Sequence, residues 1–248
     1  MTASILSSVF ASEGAASFPI LPALIFVPLI GAILIALMPQ SRPELSRQMA
    51  IITGLLTGVL SIALLVEFKT GDAGFQFVVQ QTWVQSLDIK FFLGVDGISL
   101  FLVVLTGILF PIALFAAKPE HSPKGYYAWL TLLMAGCMGA FLSLDLFLFF
   151  LMFEVTLVPL YMLIGKWGHG RRVYAATKFF IYTMAGSAFM LVGIVATAFL
   201  AGAGDNGGVS FDFTKIIASD SLATSTGRWL FLGMAIAFAV TVPSFPFH

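Results

Sequence analysis

Long apolar stretches alternate with short polar segments along the whole chain. A membrane-spanning helix needs about 20 consecutive, mostly apolar residues, and seven stretches reach or approach that length. The pattern predicts an all-α fold, a polytopic transmembrane helix bundle of about seven helices in a single integral membrane domain over residues 1–248. The predicted helices are Ile20–Met38, Met49–Val66, Ile98–Ala117, Tyr127–Leu142, Leu146–Ile164, Tyr174–Leu200 and Trp229–Val242.

Helix-breaking and helix-capping residues lie near the ends of these stretches. Pro43 follows the first stretch, and Gly165 closes the fifth. Asp96 and Ser99 can cap the third helix, and Ser143 and Asp145 can cap the fifth, because short polar side chains accept hydrogen bonds from the free N–H groups of a first turn. These signals support the division of the chain into separate helices.

Composition agrees with burial in lipid. Hydrophobic residues make up 59% of the chain and charged residues only 10%, with a mean hydropathy of +1.02, whereas soluble domains carry about a quarter charged residues. The net charge is zero, so nothing indicates a nucleic-acid partner. We expect the lipid bilayer to be the main surrounding of the helices.

The distribution of Lys and Arg predicts the orientation. Connections that face the cytoplasm carry an excess of basic residues, and the connections after odd-numbered helices hold seven, against four in the others. We therefore expect the N-terminus outside and these connections inside. The seven are Arg42, Arg47, Lys118, Lys124, Lys166, Arg171 and Arg172; the four are Lys69, Lys90, Lys215 and Arg228.

The polar segments contain one motif that resembles a nucleotide site. Residues 202–207 match G-x-G-x-x-G, but a dinucleotide site needs a strand before the motif and a helix after it, and here an apolar helix precedes a polar loop. A flexible segment after the end of a helix is the simpler interpretation. We expect this chain to bind no cofactor and no metal. The outer segments 67–94 and 201–228 are compatible with short strands or amphipathic helices, and the sequence does not decide between them.

Glu154 is the strongest candidate for chemistry. It lies in the fifth predicted helix, nine residues after Asp145 and eleven before Gly165, or roughly 14–16 Å from either end. A charged acid at that depth costs a few kcal/mol. It must therefore be neutral, paired or in contact with internal water, and a group held between these states can take up and release protons. The alternative is a protonated side chain that only joins helices.

Two neighbouring features bear on that prediction. Pro159 has no N–H, so the carbonyl of Val155 loses its helical partner and can hold water beside Glu154. Lys178, near the start of the sixth helix, is either a cation coupled to Glu154 or an anchor that extends to the membrane surface. The sequence leaves both interpretations of Lys178 open.

The end of the last apolar stretch also invites a functional interpretation. Pro243 and Pro246 break the seventh helix, and broken backbone at membrane depth is tolerated only where it is buried or lines a wet cavity. His248 can titrate near neutral pH, so it is a possible relay, or else an ordinary residue at the interface.

Three blocks resemble a known family. They are GVDGISLF at 94–101, FEVTLVPLYMLIGKWGH at 153–169 and AATKFFIYT at 175–183. Together they are similar to chain M, the antiporter-like proton-translocating subunit of bacterial NADH–quinone oxidoreductase, respiratory complex I. The resemblance implies that we see the N-terminal part of a longer subunit.

The resemblance also assigns functions and partners. It implies that Glu154 is the family glutamate of a proton relay, and that Thr241 occupies the position of a family lysine. Either water or another cation replaces that lysine, or pumping is impaired. The complex would use NADH, FMN, iron–sulfur clusters and quinone in other subunits. The partners would be other membrane-arm subunits, including antiporter-like ones, in a bacterial inner membrane.

Two other functions remain open. Subunits of multi-subunit Na⁺/H⁺ antiporters and of membrane-bound hydrogenases carry the same buried glutamate. A purely structural membrane scaffold would tolerate its replacement.

Overall fold

The chain folds into antiparallel helices with a β-hairpin at one end. The structure, a computed structural model, describes residues 18–71, 74–202, 208–219 and 224–242. Six described helices are long and apolar enough to cross a membrane, and a seventh, shorter apolar helix follows. The helices are α1 Ile20–Leu37, α2 Pro43–Glu67, α3 Gly97–Ala116, α4 Pro123–Leu142, α5 Leu146–Trp167, α6 Arg172–Leu200, α7 Phe213–Ala218 and α8 Thr224–Thr241.

Every predicted apolar stretch is helical, but two boundary predictions are wrong. Pro43 is the first residue of α2 rather than a terminator of α1, because the first helical position needs no N–H donor. Gly165 lies inside α5, which continues to Trp167. A Cβ at Gly165 would lie 3.3 Å from the Cβ of Ala176, so this glycine allows α5 and α6 to approach.

The capping predictions are confirmed for Asp96, Ser99 and Asp145 but are wrong for Ser143, whose hydroxyl donates to the carbonyl of Gly139 at 2.6 Å. Asp96 accepts a hydrogen bond of 2.7 Å from the backbone N–H of Ser99, and the Ser99 hydroxyl oxygen accepts one from the Asp96 backbone N–H. Asp145 accepts the N–H groups of Phe147 and Leu148 at 2.9 and 3.0 Å. Both carboxylates therefore satisfy donors that would otherwise be free in a first helical turn.

The first outer segment forms a β-hairpin. Strands β1 Gln76–Val84 and β2 Ile89–Val95 pair in antiparallel fashion, and Asp88 turns the chain between them in the left-handed region, at φ +51°. Leu93 and Val95 pack with α1, α3 and α4 residues in one core cluster. The hairpin therefore covers one end of the bundle.

The connection between α4 and α5 ties both outer segments together. The N–H of Leu144 donates to the carbonyl of Phe92 in β2 at 2.8 Å. On its other side, the N–H of Leu146 donates to Phe211 at 2.9 Å, and that of Phe213 to Leu144 at 3.0 Å. Residues 143–146 thus run between β2 and the segment that leads into α7.

Glycines set the closest helix contacts. A Cβ at Gly58 in α2 would lie 2.6 Å from the carbonyl oxygen of Gly107 in α3. Gly186 and Gly193 of α6 face α8, where a Cβ would lie 2.8 Å from Val240 and 3.0 Å from Met234, respectively. Small residues bring backbones close in membrane bundles, where van der Waals packing largely holds helices together.

The connections predicted to be basic meet at the other end of the bundle. The Nζ of Lys124 donates to the carbonyls of Ala36 and Met38 at 3.1 and 3.0 Å, and Arg47 donates to Phe115 at 3.2 Å. Lys124 and Arg47 therefore donate hydrogen bonds to backbone carbonyl groups at the C-terminal ends of α1 and α3.

Some predicted features lie outside the described residues. Pro243, Pro246 and His248 follow the last described residue, Val242, so the predicted break of the seventh helix is not described. Of the glycine motif at 202–207, only Gly202 is described, with φ +55°.

Candidate functional site

Glu154 lies in the interior of α5. It follows the first residue of that helix, Leu146, by eight positions and precedes Trp167 by thirteen, or about 12 and 20 Å along the axis. The residue is half-buried, and its Oε1 atom is buried without a hydrogen-bond partner among the described residues. Because buried polar groups are nearly always paired, an unpaired carboxyl oxygen is a functional-site candidate.

The helix presents Glu154 away from α4. Met152 and Thr156 face α4, since a Cβ at Gly139 would lie 2.5 Å from Met152 Sδ and one at Gly136 would lie 2.8 Å from Thr156 Cγ2. Glu154 is two residues from each of them, and two residues correspond to roughly 200° around a helix. The carboxyl group therefore lies on the other side of α5.

That other side faces α6 and an uncovered surface. Two turns after Glu154, the ring of Tyr161 packs on Phe180 of α6, with centroids 5.4 Å apart. One turn after Glu154, Val158 is 43% exposed in this chain. The acid thus lies at the edge of the α5–α6 contact, where another helix or subunit can approach it.

Lys178 is not directed toward α5. Ala176 and Phe180 form the contacts of α6 with Gly165 and Tyr161, and Lys178 lies between them in sequence, on the opposite side of the helix. It is exposed and lines a shallow, mostly apolar groove on α6. Within the described chain, the fold does not bring Lys178 to Glu154, and its position suits a surface anchor.

Pro159 is buried inside α5, which continues through it. The ring removes the N–H that would bond to the carbonyl of Val155, the residue after Glu154. On the preceding turn, the hydroxyl of Thr156 donates to the carbonyl of Phe153 at 2.7 Å. A carbonyl without a helical donor therefore lies next to the unpaired acid.

Thr241 is the last residue of α8. Its hydroxyl donates to the carbonyl of Ala237 in the same helix at 3.0 Å. The donor is therefore satisfied locally. A threonine at this position supplies no cation to Glu154.

A second polar cluster, which the sequence did not reveal, lies under the hairpin. Lys90 of β2 is buried, and its Nζ lies 3.1 Å from Asp88 and 3.5 Å from Asp212, the N-cap of α7. Lys215 also reaches Asp88, at 3.4 Å. Asp145 joins the cluster, because its Oδ2 accepts a hydrogen bond from the backbone N–H of Lys90. Of these residues, only Asp145 has a local sequence signal, its capping position. Lys90 and Asp212 are 122 residues apart, so no motif links them.

The acids of this cluster titrate differently. Burial raises the pKa of Asp145 to about 6, against the effect of three N–H donors, and Asp212 adds to the rise. Burial also acts to raise the pKa of Asp88, but a hydrogen bond from Ser210 and the nearby Lys90 and Lys215 outweigh it, so that the pKa lies below its usual value. Asp145, at the start of the helix that carries Glu154, is therefore the acid whose pKa is raised toward neutral pH.

Comparison with known proteins matches part of the chain to a family model. Residues 143–248 match the family described as NADH:quinone oxidoreductase/Mrp antiporter, TM. The chain is 37% identical over 94% of its length to NAD(P)H-quinone oxidoreductase chain 4 1 of Microcystis aeruginosa, and covers 43% of that protein. It is 38% identical to NADH-quinone oxidoreductase subunit M of Rickettsia conorii, with 93% of this chain and 47% of the relative covered.

Solved structures show the same fold. Respiratory complex I from Thermus thermophilus contains a chain that matches with a TM-score of 0.79 at 23% identity, covering 92% of this chain and 45% of that one. The Mrp complex from Dietzia sp. matches with a TM-score of 0.73 at 16% identity, covering 91% and 24%. The predicted antiporter-like membrane fold is confirmed. The chain is a homologue of the antiporter-like proteins named subunit M or chain 4 of NADH–quinone oxidoreductases, and it spans less than half the length of the curated relatives that it matches.

Proposed function

We propose that this chain is part of a membrane-arm subunit of a proton-pumping NADH:quinone oxidoreductase and that Glu154 carries the proton. The observation that carries the proposal is the buried Oε1 of Glu154, which has no hydrogen-bond partner among the described residues and lies in the interior of a membrane-spanning helix. The similarity to subunit M and chain 4 supports the assignment to that complex.

The chemistry follows from the surroundings of the acid. In a dry bundle the neutral carboxylic acid is favoured, whereas water or a cation on the open side of α5 favours the carboxylate. Charges interact strongly at low dielectric, so a change in a neighbouring charged group shifts the balance between the two forms. Glu154 would then accept a proton in one state of the complex and release it in the other.

The group that exchanges protons with Glu154 is a further part of the proposal. Lys178 faces away from α5 in the described chain, and the hydroxyl of Thr241 donates to the carbonyl of Ala237. We therefore favour internal water, held near the free carbonyl of Val155, as the immediate partner. Lys178 as a coupled cation and His248 as a relay remain predictions for the assembled protein.

The chain would take no part in electron transfer itself. In this proposal NADH, FMN, iron–sulfur clusters and quinone are bound by other subunits of the complex. The uncovered face beside Glu154 would contact further membrane-arm helices, including those of antiporter-like neighbours. The membrane would be the bacterial inner membrane, with the N-terminus outside.

The test is Glu154→Gln in the full-length subunit of the assembled complex. We expect electron transfer from NADH to quinone to persist while proton uptake into vesicles per electron falls, because the amide cannot ionise. Glu154→Asp keeps an ionisable group and serves as the matched control, with partial pumping expected. Unchanged pumping per electron in the Gln variant would contradict the proposal.

Two alternatives give different outcomes. A subunit of an Na⁺/H⁺ antiporter or membrane-bound hydrogenase predicts genes for those complexes next to this one, and for the antiporter a sodium-dependent proton flux without NADH. A structural scaffold predicts that Glu154→Leu is tolerated whenever the complex assembles.

A further inference from the structure

A polar cavity lies at the end of the bundle where the α3–α4 and α5–α6 connections meet. It encloses about 400 Å³ and differs from the apolar groove on α6 in that polar atoms form most of its wall. The titratable and aromatic residues of its wall include Lys118, Glu120, His121, Trp167, His169 and Arg172. Neither Glu154 nor Lys178 lines it.

The two connections are joined by hydrogen bonds that form the wall of this cavity. The indole N–H of Trp167 donates to the carbonyl of His121 at 2.7 Å, and the His121 ring stacks on Trp167 with centroids 6.3 Å apart. Beside them, Lys166 donates to the hydroxyl of Ser122 at 2.9 Å. The cavity is thus formed within this chain before any ligand enters.

Its histidine is held in one tautomer. The Nε2 atom of His121 lies 3.0 Å from the carbonyl oxygen of Lys166, and a carbonyl can only accept, so Nε2 carries the hydrogen. The Nδ1 atom is then the acceptor of the neutral ring.

The charges of the cavity select an anion. Lys118 and Arg172 contribute two cations, and Glu120 is the single acid among the described residues of the lining. Arg172 already donates one hydrogen bond to Lys166, at 2.9 Å, and the other N–H groups of its planar guanidinium match the geometry of a phosphate.

We propose that this cavity binds the phosphate headgroup of an anionic phospholipid. The cavity lies at the ends of α4, α5 and α6, three helices long and apolar enough to cross a membrane, and lipid headgroups lie at the ends of such helices. Tyr126, which also lines the cavity, and Trp167 add the amphipathic rings typical of that depth. Basic pockets between membrane helices bind acidic headgroups for the same reason.

The test compares how much phosphatidylglycerol remains bound to variants that have the same net charge. The full-length protein is placed in nanodiscs with equal parts of phosphatidylglycerol and phosphatidylcholine, and the lipids retained on release are counted by native mass spectrometry. We expect Lys118→Gln/Arg172→Gln to lose phosphatidylglycerol on the order of tenfold. Arg42→Gln/Arg171→Gln removes the same charge at the same end, outside the cavity lining, and should retain it.

Further arms separate the alternatives. Lys118→Arg/Arg172→Lys keeps both charges and should retain more phosphatidylglycerol than the Gln pair, which distinguishes a binding defect from a folding defect. Equal loss in the two Gln pairs would show a general surface-charge effect and overturn the proposal. Stabilisation of the wild-type protein by millimolar inorganic phosphate in pure phosphatidylcholine nanodiscs would also overturn it, in favour of a site for free phosphate.

Discussion

The backbone N–H of Lys90 donates a hydrogen bond of 3.0 Å to Oδ2 of Asp145. Because Asp145 also caps α5, this bond connects the β-hairpin to the helix that carries Glu154. The Nζ of the same lysine contacts Asp88 and Asp212, so one residue joins the hairpin, α5 and the start of α7. The position of the proposed proton-carrying helix thus depends on a cluster outside the membrane-spanning segments.

Replacement of Lys90 by Met should destabilise the protein. The side chain is 8% exposed and that of Asp212 only 4%, so the change leaves a buried carboxylate without its cation, at a cost of about 3 kcal/mol. Lys215→Met is the matched control, because the Lys215 side chain is 35% exposed and its ion pair is screened by water. Thermal unfolding in nanodiscs measures the effect of both substitutions. Equal shifts in unfolding temperature would show that the burial of Lys90 does not contribute to stability.

Asp145 should give the stability of the protein an unusual pH dependence. Its pKa rises from 3.8 to about 6 on folding, so between these values the folded protein binds more protons than the unfolded chain. The free energy of unfolding therefore falls as pH rises through this window, by on the order of 3 kcal/mol. Chemical denaturation of the wild-type protein and of Asp145→Asn across that range should show a difference that changes with pH.

A second capping acid provides the control for this measurement. Burial acts to raise the pKa of Asp96, but hydrogen bonds from Ser99 and Ile98 outweigh it, so the pKa lies below its usual 3.8. Its stabilising contribution is lost only as pH falls below that value, and Asp96→Asn should show no pH-dependent difference between pH 3.8 and about 6. If the two Asn variants have the same pH profile, the raised pKa of Asp145 is wrong.

The sequence predicted the helices because their signals are local. Apolar length alone located α1 to α6, and Asp96 and Asp145 marked helix starts through side chains that reach only two or three residues along the chain. Pro43 and Gly165 were misread for the same reason. A proline is compatible both with the first turn of a helix and with a position just after a helix. From the sequence alone, a glycine that lets α6 pack closely on α5 cannot be told from a glycine that ends α5.

The candidate site was predictable only in part. The depth of Glu154 follows from its place in one apolar stretch, whereas its direction depends on which side of α5 contacts α4 and α6. The salt bridge from Lys90 to Asp212 spans 122 residues, and in the sequence Lys90 is simply one of the four basic residues of the outer segments. Such contacts depend on the packing of distant segments, which the pattern of apolar residues does not specify.

The close approach of α2 and α3 should not tolerate a methyl group. In Gly58→Ala the new Cβ would lie 2.6 Å from the carbonyl oxygen of Gly107, and the helices would have to separate at a cost of roughly 1–3 kcal/mol. Gly97→Ala, at the start of α3, adds a methyl group with no described atom within 4 Å and should be neutral. Unfolding temperatures in nanodiscs distinguish the two, and an unaffected Gly58→Ala variant would show that the contact is loose.

Thr241 should be dispensable for proton transfer. Its hydroxyl hydrogen is directed to the carbonyl of Ala237 at 3.0 Å, so it is not free to pass to Glu154, and the side chain carries no charge. Thr241→Val keeps the branched shape and removes the hydroxyl, and we expect the assembled complex to pump as many protons per electron as the wild type. Glu154→Gln in the same vesicles provides the reference for lost pumping. Reduced proton uptake in Thr241→Val, with electron transfer and assembly intact, would instead place the hydroxyl in the relay.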